Sequence, residues 1–205
     1  MLPASHGAGM PRSQKTRPPR APISRPAAVS RMRAPGVQHG LGEFGKLILD
    51  AQWTRLNLNL RTEEDGTQLQ FAGTHGNCDV TNCIGSPKNR FNLGATLDAN
   101  IWSVSAVVNY IGAFKNIAFE GDSCANSFAD GSDAPSGCKI PAFYTVDLSA
   151  KWKPIKSLEL FGSVQNLFDK VAPLDPLTYG AVNYNPLHSS GAVGRYFTVG
   201  AKYSF

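Results

Sequence analysis

The side chains able to do chemistry in this chain of 205 residues are few, and the four cysteines come first. Cys78 and Cys83 lie close together, and Cys124 and Cys138 form a second group further on. Four cysteines allow three disulfide pairings, among which spacing alone does not choose. A zinc site is the competing chemistry, with His75 beside Cys78 and Cys83, but these spacings match no common zinc motif and the four histidines are scattered. His6, His39 and His188 read as solvated polar residues. Asp122, Asp130 and Asp133 lie in a Gly/Ser-rich stretch whose spacing matches no EF-hand, so they read as a solvated acidic loop. Ser189 and Ser190 follow His188 without the Gly-x-Ser-x-Gly turn that strains a nucleophile into position. No catalytic constellation, metal-ligand set or cofactor site is expected, and the chain does not read as an enzyme.

The surrounding elements are strands. In GKLILDAQWTRLNLNL (45–60), Leu47, Leu49, Ala51 and Trp53 share one parity and Leu56, Leu58 and Leu60 the other. A β-bulge near Thr54 and Arg55 would return both runs to one face. RFNLGATLD sets Phe91, Leu93, Ala95 and Leu97 on one side. After a tight turn at Ala99 and Asn100, IWSVSAVVNYIG sets Trp102, Val104, Ala106, Val108 and Tyr110 on one side. FYTVDLSAKW alternates Tyr144, Val146, Leu148, Ala150 and Trp152 with polar residues, and LELFGSVQNLF follows after a turn at 153–157. The last strand places Phe197, Val199, Ala201, Tyr203 and Phe205 opposite Thr198, Gly200, Lys202 and Ser204. Strand side chains alternate between two faces, so each of these segments has one apolar face and one that is largely polar. Six strands are expected.

Trp102 and Tyr110, Tyr144 and Trp152, and Phe197 and Phe205 each stand eight residues apart on the apolar face. That is roughly 26 Å along a strand, or about 20 Å across a bilayer at the tilt of a membrane barrel. It suits two aromatic girdles. Connections alternate between short ones (99–100, 153–157) and long ones (61–87, 112–141, 169–193), as short periplasmic turns and long outer loops do in outer-membrane barrels. This topology favours the two local disulfides, because each cysteine pair then shares a loop on the oxidising side. The fold class is therefore all-β: antiparallel up-and-down transmembrane barrel strands, too few to close a barrel, behind a disordered leader.

The leader is defined by composition. Seven of the 20 basic residues and no acidic one fall in residues 1–42, which leaves 13 basic against 15 acidic residues in 43–205. The body is slightly acidic, so no nucleic-acid partner is expected. Prolines at 3, 11, 18, 19, 22, 26 and 35 interrupt any regular pattern, and the leader has no apolar run of the kind a secretory signal needs. It reads as a disordered Pro/Arg-rich segment, and residues 43–205 as the barrel portion.

The final GRYFTVGAKYSF resembles the C-terminal signal strand of bacterial outer-membrane barrels, read by the assembly machinery as alternating apolar residues ending in Phe. From about Ser86 to Phe205 the chain resembles the C-terminal barrel strands of a TonB-dependent outer-membrane receptor. The most diagnostic features are NLFD at Asn166–Asp169 and the Gly194-Arg195-Tyr196 lead into the last strand, together with SPKNRFNLGATLD and IPAFYTVDLSAKW. Residues 1–40 carry nothing of that pattern. The resemblance implies a barrel of about 22 strands around a plug, in the outer membrane of a Gram-negative bacterium. It implies energy-coupled uptake of a nutrient such as a ferric siderophore, a cobalamin or an oligosaccharide. Lipid and the barrel assembly machinery would be partners, and the TonB system only through a plug that this chain lacks. The chain then reads as a C-terminal portion not functional alone. A small self-assembling outer-membrane barrel or adhesin, and a soluble secreted β-protein, are the alternatives. Loop aromatics Phe114, Phe119, Phe128, Tyr179 and Tyr184 are candidates for substrate stacking, with packing against one another as the competing role.

Overall fold

The computed structural model describes residues 23–24, 28–76, 84–178 and 183–205. Its main feature is one sheet of seven strands in the order β12-β11-β10-β7-β6-β3-β2. These are β2 (Ala28–Gly40), β3 (Lys46–Leu58), β6 (Asn89–Asp98), β7 (Trp102–Ile111), β10 (Phe143–Ile155), β11 (Leu158–Gln165) and β12 (Tyr196–Tyr203). Every neighbouring pair in the sheet is antiparallel, so the chain runs up and down without a crossover. Among the described residues the sheet is open: β2 and β12 each pair on one side only. Small pairings decorate the long connections, with β1 (Ile23–Ser24), β4 (Leu60–Thr62) and β5 (Gln68–Gln70) in one and β8 (Phe114–Lys115) with β9 (Lys139–Ile140) in another. No helix among the described residues is long and apolar enough to cross a membrane, which does not bear on crossing by strands.

The period-2 pattern governs the sheet because the register places like with like. Leu97 faces Val104, Ala95 faces Ala106, Leu93 faces Val108 and Phe91 faces Tyr110, while Val146 and Leu148 continue the same rows from β10. The result is one apolar face across all seven strands. At one end of that face Trp102 pairs with Trp152. At the other, Trp53, Phe91, Tyr110 and Tyr144 form a continuous cross-strand row, with Phe91 and Tyr110 stacked at 4.5 Å. Trp53 and Phe91 thus belong to the same aromatic belt as Tyr110 and Tyr144.

Two sequence expectations change. The sheet has seven strands rather than six, and the additional one, β2, lies inside the span read as disordered leader. Its Pro35 is tolerated because β2 is an edge strand and its register shifts between Ala34 and Val37, which spares the proline a ladder bond. The bulge expected near Thr54 and Arg55 is absent. Register between β3 and β6 runs unbroken from Lys46 to Arg55, and the irregularity falls against β2, between the Leu58 and Leu56 pairings. Leu56 accordingly shares the polar side with Arg31 and Thr54, where all three line one cavity.

The short connections are gathered at one end. Leu41–Gly45 closes on a bond from the Leu41 N–H to the Gly45 carbonyl at 2.8 Å. Asn100 takes a φ of 61° in the turn between β6 and β7, a conformation that Asn tolerates better than most residues. Gly45, at a φ of 100°, lies so close to the Asp98 carbonyl that a Cβ would collide with it.

The fully buried apolar residues are not where a sandwich would place them. Among the described residues, Phe71, Ala72, Phe114, Ile117, Ala134, Ile140 and Ala172 belong to the long connections, and Phe143 sits at the loop end of β10. The sheet's apolar face is left open, with Val199 86% and Trp152 51% exposed. The core is the packed base of the loops.

Candidate functional site

The polar face and the loops above it form the site. Across β2, β3 and β6, Arg31, Thr54 and Arg90 stand in one row, and Arg33, Gln52 and Asn92 in the next, continued by Asn109 and Thr145. A cavity of about 460 Å³ opens against Arg31, Gln52, Thr54 and Arg90 beneath Gly85–Pro87. Asp147 and Glu159 are engaged on this face. Asp147 accepts from Asn109 Nδ2 and from the Asn166 N–H, both at 2.8 Å, and Glu159 lies 3.2 Å from Lys153 Nζ.

Above the wall, three long connections meet in a buried knot. His75 Nε2 lies 3.0 Å from Asp175 Oδ2, and both side chains are almost wholly buried. Asn185 Nδ2 donates to Asp175 Oδ2 at 2.8 Å, and the Leu177 N–H donates to Oδ1 at 3.0 Å. His188 is 0% exposed, with its ring 5.1 Å from Phe143 and 6.0 Å from Phe114, and neither ring nitrogen has a hydrogen-bond partner among the described residues. Burial pushes its pKa down to about 4, with Arg90 acting in the same direction and Asp175 opposing. His188 is therefore buried in the knot, not the solvated residue expected, and His75, the histidine of the competing zinc reading, is buried there too. Their partners come from other long connections, so no local pattern announces them.

The NLFD tetrad has a mechanical role in this geometry. Asn166, 1% exposed and at a φ of 50°, donates from Nδ2 to the Lys170 and Ser190 carbonyls at 2.9 and 3.2 Å. Its Oδ1 accepts from the Lys170 N–H at 2.9 Å. Asp169 Oδ1 accepts from the Arg195 N–H at 2.8 Å. One end of the motif pins the loop, and the other aligns the start of β12. Asn166→Ala removes three part-buried bonds and takes from the Lys170 carbonyl its side-chain donor, while the Ser190 carbonyl keeps the Gly194 N–H, at about 1–3 kcal/mol. Hydrogen exchange in 167–193 is expected to speed up markedly, and Asn166→Gly, which tolerates the φ, should show the same loss if the bonds rather than the backbone matter.

The remaining candidates are dispersed. Cys124 and Cys138 are joined by a disulfide with Cα atoms 5.5 Å apart, while Cys78 and Cys83 lie outside the described residues, as does Tyr179. Phe114 is 2% exposed and packs between His75 and His188. Phe119, Phe128 and Tyr184 are half-buried. Tyr144 carries the Lys170 ammonium 3.4 Å above its ring. Phe197, Val199, Ala201, Tyr203 and Phe205 are all exposed on one side of β12 and beyond it. Asp122 and Asp130 cap local turns through Ser123 and Ser132, and no group of three metal-binding side chains occurs among the described residues.

A family model described as TonB dependent receptor-like, beta-barrel matches residues 20–167. The match begins inside the segment read as carrying nothing of that pattern, in step with the strand at Ala28–Gly40. Among solved structures, a mutant ferric enterobactin receptor of Pseudomonas aeruginosa in complex with enterobactin aligns at a TM-score of 0.49 and 20% identity, over 83% of this chain and 22% of its own. The copper transporter OprC aligns at 0.39 and 14%, over 86% of this chain and 27% of its own. The ferric-catecholate import receptor Fiu of E. coli K12 aligns at 0.40 and 17%, with the same coverage of 86% and 27%. The chain thus spans about a quarter of the length of these proteins. No curated protein sequence matches it.

Proposed function

Because this chain belongs to the β-barrel family of TonB-dependent receptors, which are outer-membrane transporters, we propose that its sheet is the C-terminal arc of a receptor wall for energy-coupled uptake of a scarce nutrient. The nutrient would be a ferric siderophore, a cobalamin or an oligosaccharide. The observation that carries this reading is the open seven-strand meander, largely apolar along one face and, among the described residues, unpaired at the outer edges of β2 and β12. Unpaired edges in a bilayer core leave backbone groups without partners, so such a sheet needs further strands to close.

In this reading the apolar face contacts outer-membrane lipid, the aromatic rows lie at its two interfaces, and the long loops project outward. The strand ending at Phe205 is the segment the barrel assembly machinery engages. Substrate is captured by the loops and the polar face, and force from the TonB system arrives through a plug that is not among the described elements. The chain alone would not transport.

Two measurements test it. Sequencing the gene upstream of the start codon in all three frames is expected to find further alternating strands and a plug. Intact receptor bearing this arc should then support growth on the limiting nutrient, and deletion of the arc should abolish it. A chain that stays soluble without detergent, with its apolar faces packed together, would instead favour a secreted β-protein.

A further inference from the structure

Lys115 and Lys139 are direct cross-strand partners in the two-residue ladder of β8 and β9. Like charges set opposite one another destabilise a ladder by themselves. No carboxylate pairs with either among the described residues. Both positions are nonetheless held firmly. The Lys115 N–H donates to the Gly73 carbonyl at 2.9 Å, its own carbonyl accepts from the His75 N–H at 2.8 Å, and Lys139 follows directly on the Cys124–Cys138 disulfide. The aliphatic stem of a third lysine, Lys88, lies along Gly73, and the three lysines line one cavity of about 390 Å³ with Thr74 and Glu120. Among the described residues Glu120 is the one carboxylate lining it, 3.9 Å from Lys88 Nζ, with both side chains well exposed.

We infer that this cavity is a binding site for a small anionic solute whose carboxylate or phosphate oxygens bridge Lys115 and Lys139, with Lys88 as the third contact. Three lysines against one carboxylate among the described lining residues give this concave site an excess of positive charge. Charge-assisted bonds to an oxyanion turn the repulsion between Lys115 and Lys139 into a shared attraction. The inference rests on the receptor reading for its physiological sense, because it narrows the nutrient to an anionic one. The site itself is a property of the folded loops.

The test is calorimetric titration of citrate and of inorganic phosphate into the full chain, folded in detergent with its disulfide intact. Citrate is expected to bind, more weakly as salt rises. K115Q/K139Q should lose affinity roughly tenfold for each hydrogen bond to a charged group removed, without loss of the fold, since the change relieves repulsion. Glu120→Gln should bind more tightly. Equal affinity in K115Q/K139Q, or no binding by wild-type chain with an intact disulfide, would overturn the inference. Binding confined to vesicles bearing phosphatidylglycerol would also overturn it, because the anion would then be lipid-borne. A chain that binds citrate yet never enters a bilayer contradicts the receptor reading alone, and one that enters a bilayer without binding contradicts this site alone.

Discussion

Replacing Ala106 by Arg is expected to cost the membrane-embedded wall about 2–4 kcal/mol, the penalty for a cation at the bilayer midplane on the lipid side of a barrel strand. Ala106 lies midway between Trp102 and Tyr110 on the apolar face, flanked by Ala95 of β6 and Leu148 of β10. Placed among those neighbours, a guanidinium has no polar partner and too long a reach to either interface. Val107→Arg is the matched control. Its side chain points to the opposite face, level with Gly94 and Asp147, and should change stability by less than about 1 kcal/mol. Urea titration of vesicle-embedded protein reads the difference. Equal losses at the two positions would mean that the apolar face is not in contact with lipid.

The second large effect lies in the loop knot. Asp175→Ala leaves Asn185 Nδ2 buried without its acceptor and His75 without the carboxylate beside it, and a buried polar group left unsatisfied costs about 1–3 kcal/mol. The same knot should loosen in acid. For His188, burial disfavours the charged ring, so its folded pKa lies near 4 against an ordinary 6.5. The unfolded state therefore takes up the proton first, and the knot weakens as pH falls from about 6.5 to about 4. Burial alone would raise the Asp175 carboxyl. Hydrogen bonds from His75 and Asn185 outweigh it and hold the carboxyl below its ordinary value. That contribution is complete above 3.8 and disappears as pH falls through the lowered folded value. His188→Phe keeps a ring between Phe114 and Phe143, and should flatten the dependence between pH 6.5 and 4 while preserving the loops. Hydrogen exchange of 166–195 against pH distinguishes the two variants.

Most of the wall was legible because side-chain alternation is a local property of strands. Six strands, their apolar face and the ends carrying short and long connections follow from period 2 and the spacing of aromatics. β2 escaped because composition spoke louder than pattern. Arg31 and Arg33 alternate with Met32 and Ala34, but Pro35 and the surrounding prolines suggested disorder, and only an edge position with a register shift accommodates that residue. Leu56 was misplaced because a run of leucines invites a single face, whereas at the loop end the polar side also has apolar contacts to fill. The knot was illegible for a different reason. His75, Phe114 and His188 meet only once three connections have folded onto one another, and no residue nearby in sequence records that meeting.

The up-and-down order of the wall also governs how freely its loops can change length. Within the seven-stranded sheet every strand pairs only with the strands before and after it in the meander, so a longer loop adds to one closure entropy and disturbs no other pairing of the wall. Each doubling of a flexible loop costs only about 0.6 kcal/mol. Insertions in the connection after Ile111 or Gln165 could therefore accumulate with little penalty to the wall. The restraint on their divergence is the knot, because a loop that grows without keeping His75, Asp175 or His188 in reach separates from the others. Relatives of this chain are expected to vary loop length mainly between these anchors, at segments such as 120–137, where the disulfide closes its own small ring.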